Sequence, residues 1–264
     1  MENRSSKKGY IITIIILLLI VIALAGFIAF SVMKHMEQEE KKETMLNGIN
    51  IDLNAFYQVS ETLERFDKAF NNPKSLYLGY IYTSKRLEAP KFDLGAAIYA
   101  SMILDMAGTN LEVQFLPEPL VKSNFEKIFG NNLKYTPSEV NSGEIYKVAY
   151  DNKYYYIAPS EVDPYAEKYL AFDYKTSLEE DKIIVNRRIV YVVYEKDVNG
   201  TLTAINLYKD HLKQSKIGTI AVRNGSIKDN EILSRYGSKM KKYNYTFIQN
   251  KGADYSFYSI EAEQ

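Results

Sequence analysis

Residues Ile11–Met33 form a run of 23 consecutive amino acids without a charge. At 1.5 Å per residue, an α-helix of that length reaches about 34 Å, enough to cross a hydrocarbon layer of about 30 Å. A soluble helix needs one wet face, and this run has none. Lys7, Lys8 and Tyr10 stand at one end, Lys34 and His35 at the other, where interfacial anchors belong. A single transmembrane helix over 11–33, acting as a signal-anchor, is therefore predicted. A cleaved signal peptide is the rival reading, because Ala23-Leu24-Ala25 has the form of a cleavage site. The apolar run continues through Phe27 to Met33, however, which is too long for a cleaved leader. Phe27 also stands where a lipoprotein would need a cysteine.

Orientation rests on the flanks. Arg4, Lys7 and Lys8 precede the run, and Lys34, Lys41 and Lys42 follow it closely, so basic residues alone do not decide. The short basic tail 1–10 and the long downstream part place the N-terminus inside and the C-terminal domain outside the cytoplasmic membrane. Residues 34–264 carry 30 basic and 32 acidic side chains. This near balance gives the outer part no overall electrostatic reason to dock on anionic lipid or nucleic acid.

Residues 34–45 continue as a polar juxtamembrane helix, with Glu37 and Lys41 paired at i,i+4. The extracytoplasmic domain is expected over 46–264, helical in 46–130 and β-rich in 143–264. Leu46, Ile49, Leu53, Phe56, Leu63 and Phe70 recur at helical spacing, with Ser60 and Asp67 at the remaining seam positions. The seam is too short for a good coiled coil, so a helix packed on its own domain is favoured over pairing between chains. A second helix is predicted over Phe92–Met106, with Asp93 as N-cap and Gly108 after its end. A third runs over Leu120–Phe129 and is closed by Gly130, unless Ser123 and Glu126 form a capping box and start it later.

Past residue 143 the apolar period changes to two. Asn199-Gly200 signals a two-residue turn with positive φ at both residues, which pairs Tyr194 with Ile205 and Val192 with Leu207. A turn at Asp151-Asn152 sets Val148 against Tyr155 and Tyr146 against Ile157. A three-residue loop at Asn250-Lys251-Gly252 sets Phe247 against Tyr255 and Tyr245 against Phe257. Lys216–Val222 reads as a further strand and Asp229–Tyr236 as a short helix ended by Gly237. The predicted class is α+β, with helices on one face of a mainly antiparallel sheet.

Little catalytic chemistry is legible. There is no cysteine, and the only histidines are His35 and His211. No phosphate-binding glycine loop and no zinc-protease motif occur. Asp210-His211 lacks a nucleophile elbow and reads as a surface histidine ending a strand. Glu179-Glu180-Asp181 has the composition of a glycosidase carboxylate pair but the context of a charged turn. Asp197 to Gly200 resembles part of a calcium loop without its terminal acid. No catalytic, cofactor or metal residue is assigned. One ligand surface is considered: Tyr154, Tyr155 and Tyr156 with Tyr245, Tyr255 and Phe257, as rings for stacking a sugar or peptide. The competing reading of the same six residues is strand core.

The stretch VKSNFEKIFGNNLKYTPSEV, the Tyr-rich hairpin after it and the ending YNYTFIQNKGADYSFYSIE resemble an uncharacterised family of single-pass, membrane-anchored proteins of low-GC Gram-positive bacteria. The architecture is also similar to cystatin-like or nuclear-transport-factor-like cones. That likeness implies a binding or scaffold domain, and in some relatives a place in conjugation or secretion machines. It brings no activity and no site residues. The expected function is a membrane-tethered, non-catalytic binding or scaffold domain. Its partners would be the bilayer, through 11–33, and a protein at the membrane surface; no nucleic acid and no cofactor are expected. The rival classes are a structural component of a secretion or conjugation machine and an enzyme on cell-wall sugar or peptide.

Overall fold

The computed structural model describes residues 52–71, 73, 75, 77–104, 114–138, 140–141, 147–150, 153–157, 166–222, 229–250 and 254–263. The predicted anchor 11–33, the juxtamembrane stretch 34–45 and the start of the first predicted helix lie outside them. So do Gly108, Tyr146 and the Asp151-Asn152 turn. No helix among the described residues is long and apolar enough to cross a membrane.

Helix α1 spans Leu53–Phe70, and Asp52 caps it by accepting a hydrogen bond from the Asn54 amide at 2.8 Å. Its buried stripe is Ala55, Phe56, Val59, Leu63, Phe66 and Phe70, packed on its own domain. Leu53 is 57% exposed and Ser60 is exposed, so the seam turns slightly from the predicted one. Helix α2, Leu94–Met102, starts at the predicted N-cap: Asp93 accepts from the Ala96 amide at 2.8 Å. It is shorter than expected. Near its end the Ser101 carbonyl accepts from the buried Arg65 guanidinium at 2.8 Å and from Asn124 at 3.1 Å. Those contacts satisfy an orphan carbonyl and join the three helices. Helix α3 runs over Glu118–Phe129 with a proline in its first turn, so the Ser123 capping-box start is not used.

The main sheet has seven strands, all antiparallel. These are β1 Arg86–Glu88, β6 Lys168–Glu179, β7 Lys182–Lys196, β8 Leu202–Tyr208, β9 Lys216–Ala221, β10 Lys241–Gln249 and β11 Tyr255–Ala262. The order is β1-β11-β10-β7-β8-β9, with β6 also paired to β7. Strand β7 is the spine. Along one edge it pairs β6 from Lys182 to Val192; along the other it pairs β10 up to Ile189 and then β8 from Tyr191. Four short strands form a second sheet in the order β2-β5-β4-β3: β2 Gln114–Pro117, β3 Val140–Asn141, β4 Lys147–Tyr150 and β5 Tyr154–Ile157. Helical and β-rich parts are thus not cleanly split, since β1 and β2 fall within 46–130.

Alternation along β7 separates two cores. Ile183, Val185, Ile189 and Tyr191 face α1, α2 and α3, in a core built largely of phenylalanine and tyrosine. Val190 and Val192 face the other way, with Ile205, Leu207, Ile220 and Met240, and are covered by Ile232 of helix α4, Asp229–Tyr236. The helices therefore do not all lie on one face, because the β8–β9 end of the sheet has an apolar back that needs its own cover. Gly218 on β9 permits this: a Cβ there would meet the Tyr236 ring at 2.1 Å, and the Tyr236 hydroxyl donates to the Thr219 carbonyl at 3.0 Å.

The β7–β8 register is the predicted one, with Val192 opposite Leu207 and Tyr194 opposite Ile205. The turn itself differs. Asp197 and Gly200 are joined by a turn hydrogen bond at 3.0 Å, and the Asp197 amide donates to the Thr201 carbonyl at 2.9 Å. Gly200 has φ +80°, while Asn199 is not in the left-handed region. This is a three-residue loop with one left-handed glycine, and a bulge beside Lys196 restores the register. Two other hairpins differ by two residues. Val148 pairs with Ile157, not Tyr155, and Phe247 pairs with Phe257, not Tyr255. The first ladder ends at Tyr150 opposite Tyr155, two residues beyond the predicted partner. In the second the Asn250 amide closes on the Asp254 carbonyl at 2.7 Å, so the three-residue loop is displaced by one position, and a bulge between Thr246 and Phe247 sets Tyr245 opposite Ile260, not Phe257. A shift of two leaves every side chain on the same face, so the apolar pattern does not resist it.

Candidate functional site

The proposed stacking surface does not assemble. Tyr155, Tyr245 and Phe257 are completely buried and Tyr255 is 9% exposed; Tyr154 is open, at 41%. The Tyr156 side chain lies outside the described residues. Tyr155, Tyr245, Tyr255 and Phe257 belong to the core under the helices, while Tyr154 points to the opposite side of its strand. Phe257 meets Phe66 edge-on at 4.9 Å and Phe247 at 6.0 Å.

What the sheet does bring together is a charged cluster inside the helix-facing core. Arg187 points inward from β7 between Ile183 and Tyr191. Its Nη1 and Nη2 donate to the two Asp67 oxygens from α1 at 2.9 and 2.8 Å, and its Nε donates to Asp173, its cross-strand neighbour on β6. The guanidinium also lies over the Tyr245 ring, 5.3 Å from its centre. Burial opposes its charge, but Asp67 and then Asp173 outweigh that and hold it protonated, well above its ordinary range.

A directed chain of donors ends on the same site. The Tyr245 hydroxyl donates to Tyr82 (3.3 Å), Tyr82 to Asn71 (3.1 Å) and Asn71 to Asp67 (3.0 Å). Burial raises the Tyr82 and Tyr245 hydroxyls above their usual value, so both stay protonated as donors. Asp67 and Asp173 do face each other across a core position, as a glycosidase pair would, but a guanidinium sits between them. The arrangement ties α1 to β6 and β7. Sequence reading missed it because its charged members look like surface residues, and Asp67 and Arg187 are 120 residues apart.

The other singled-out residues have local roles. Glu180 is the left-handed residue, φ +55°, of the β6–β7 turn, and Asp181 accepts from the Gln249 amide through its carbonyl at 2.9 Å. Asp197 accepts from the Asn199 and Thr201 amides at 2.9 and 2.8 Å, both through Oδ1, so its carboxylate closes the turn. Asp210 pairs with Lys241 at 3.1 Å instead of orienting His211. His211 is packed, not a free surface residue: its Nδ1 lies 2.9 Å from the Tyr169 hydroxyl, which also accepts its amide at 3.0 Å. No three His, Asp or Glu side chains among the described residues gather as a metal site.

One concavity is strongly charged. A basin of about 580 Å³ opens where the end of β8 and the start of β9 meet the start of β10. Among the described residues, Lys209, Lys216, Lys239, Lys241 and Lys242 line it, against Glu263 alone among acids. Lys242 pairs with Glu263 at 3.4 Å and Lys239 lies over the Tyr236 ring at 5.6 Å. Among the described residues, Lys209 and Lys216 have no ion-pair partner. Its signal was in the sequence, in Lys209 to Lys216 and in Ser238-Lys-Met-Lys-Lys242, but balanced total charge conceals a local concentration.

No family model, curated protein or solved structure matches this chain.

Proposed function

We propose that this chain is a membrane-tethered, non-catalytic binding or scaffold domain, held by residues 11–33 with its N-terminus inside and residues 46–264 outside the cytoplasmic membrane. The observation that carries this reading is the filled helix-facing side of the sheet. Phe66, Phe70, Phe92, Phe129 and Phe257 interlock there at ring separations of 4.9 to 6.2 Å. The pair of acids that meets there, Asp67 and Asp173, is occupied by Arg187. A cone-like fold with its interior closed in this way has its surfaces left for recognition. The same packing weighs against the 53–70 helix as a seam between chains, since its apolar stripe is covered by its own domain.

The test is affinity capture by the full-length protein, cross-linked in cells and solubilised with its helix. A partner that is lost when the outer domain is unfolded is the expected result. Turnover of a small wall-derived substrate by the purified protein, with no partner recovered, overturns the reading.

A further inference from the structure

We infer that the lysine basin is a binding site for a flexible, phosphate-bearing polyanion. This rests on the reading of the domain as a binding module and names what one of its surfaces takes. Five lysines and one glutamate give the lining a surplus of positive charge, although residues 34–264 as a whole carry a slight excess of acids. The charge is concentrated by the fold: Lys209 and Lys216 come from the two sides of the β8–β9 connection, and Lys239, Lys241 and Lys242 from the segment entering β10. The Lys209 amide donates to the Ser215 carbonyl at 2.9 Å, which brings the first two segments together.

Lysine suits this ligand. An ammonium is a compact point charge on a flexible stem, matched to phosphate oxygens at variable positions; planar, bidentate recognition of one fixed group would favour arginine. Lys241 and Lys242 are paired with Asp210 and Glu263, while Lys209 and Lys216 are exposed and, among the described residues, without a competing acid, so the uncompensated charge lies on them. Among the described residues the apolar lining residues are Ile217 and Met240, which are nearly buried, and neither is aromatic. The basin therefore offers nothing to insert into a bilayer and no ring on which to stack a base. Its concave form follows a chain of phosphates better than a flat headgroup surface.

The full-length protein, inserted in phosphatidylcholine nanodiscs, is titrated with fluorescent inorganic polyphosphate at low salt. Saturable binding is expected. The Lys209→Gln/Lys216→Gln double variant is expected to bind at least about tenfold more weakly, with a shallower dependence on salt, because each phosphate contact contributes close to one unit to the log–log slope. A Lys122→Gln/Lys127→Gln double variant on α3 is expected to bind as wild type, and all three proteins to melt alike. Amine-reactive footprinting is expected to show Lys209 and Lys216 shielded by polyphosphate. Absence of saturable binding, or equal loss in both double variants, overturns the proposal. Shielding of Lys209 and Lys216 by phosphatidylglycerol nanodiscs with no polyphosphate added also overturns it, and assigns the basin to the bilayer. None of these failures touches the binding-domain reading, which falls only by the capture and turnover results given above.

Discussion

Arg187 shows how one side chain can be both expensive to bury and hard to remove. Its three donor contacts and the Tyr245 ring compensate its charge, and Asp67 and Asp173 depend on it in turn. Arg187→Ala would leave two carboxylates facing each other without a cation, so a loss of about 3–5 kcal/mol is expected in urea unfolding. Replacing all three together, Asp67→Leu, Asp173→Leu and Arg187→Met, is expected to be markedly less damaging, because no unpaired charge remains. A triple variant as unstable as Arg187→Ala would show that shape, not charge pairing, is what the position needs. The buried tyrosines make a second prediction at this scale. Burial pushes the Tyr169 and Tyr243 hydroxyls from 10.0 up to about 12. Between those values the unfolded chain has lost the proton that the folded chain keeps, so stability falls as pH rises. The fall is about 1.4 kcal/mol per pH unit for each such group, while below pH 10 their contribution is fully present. Tyrosinate absorbance followed beside circular dichroism is expected to show exposed tyrosines ionising first and the buried set only as the fold is lost. Ionisation of all tyrosines in one step near pH 10, with the fold intact, would contradict it.

Elements were legible where the pattern had one solution. The β7–β8 register was readable because a one-residue slip would turn Val192 and Leu207 outward, and α4 was readable from its position between Asp229 and Gly237. The Val148 and Phe247 pairings were not, because a slip of two changes no face and only the placement of the turn decides it. Strand β6 escaped notice because Lys168, Asp173 and Lys175 interrupt its apolar alternation, and Asp173 is there for Arg187. The lysine basin escaped because it is assembled from separate segments. At this scale the Gly200 turn provides a clean test. A Cβ at Gly200 would meet nothing within 4 Å, so substitution acts only through φ +80°. Gly200→Val is expected to destabilise by about 1–3 kcal/mol, and Gly200→Asn by much less, since asparagine tolerates the left-handed region. Equal losses in thermal or urea unfolding would mean that the loop rearranges. Gly225, the other glycine that follows an asparagine, lies outside the described residues.

For the whole molecule the question is whether a folded outer domain is carried on a membrane anchor. The 11–33 run contains many leucines and isoleucines, each favouring insertion by a few tenths of a kcal/mol. One arginine at Leu18, opposing insertion by about 2.5–3.5 kcal/mol, is expected to be tolerated, whereas Leu18→Arg with Ile22→Arg is expected to release the protein from the membrane fraction. Undiminished membrane retention of the double variant would mean that another part of the chain holds it there. The absence of cysteine makes the most direct measurement simple. Val198 stands fully exposed at the tip of the β7–β8 turn, so Val198→Cys supplies a single accessible thiol far from any packed side chain. Intact, wall-stripped cells are treated with a membrane-impermeant maleimide and then fractionated. Labelling before lysis, with the labelled protein in the membrane fraction, is the predicted result; labelling only after lysis, or a labelled protein in the soluble fraction, contradicts a binding domain tethered outside the membrane.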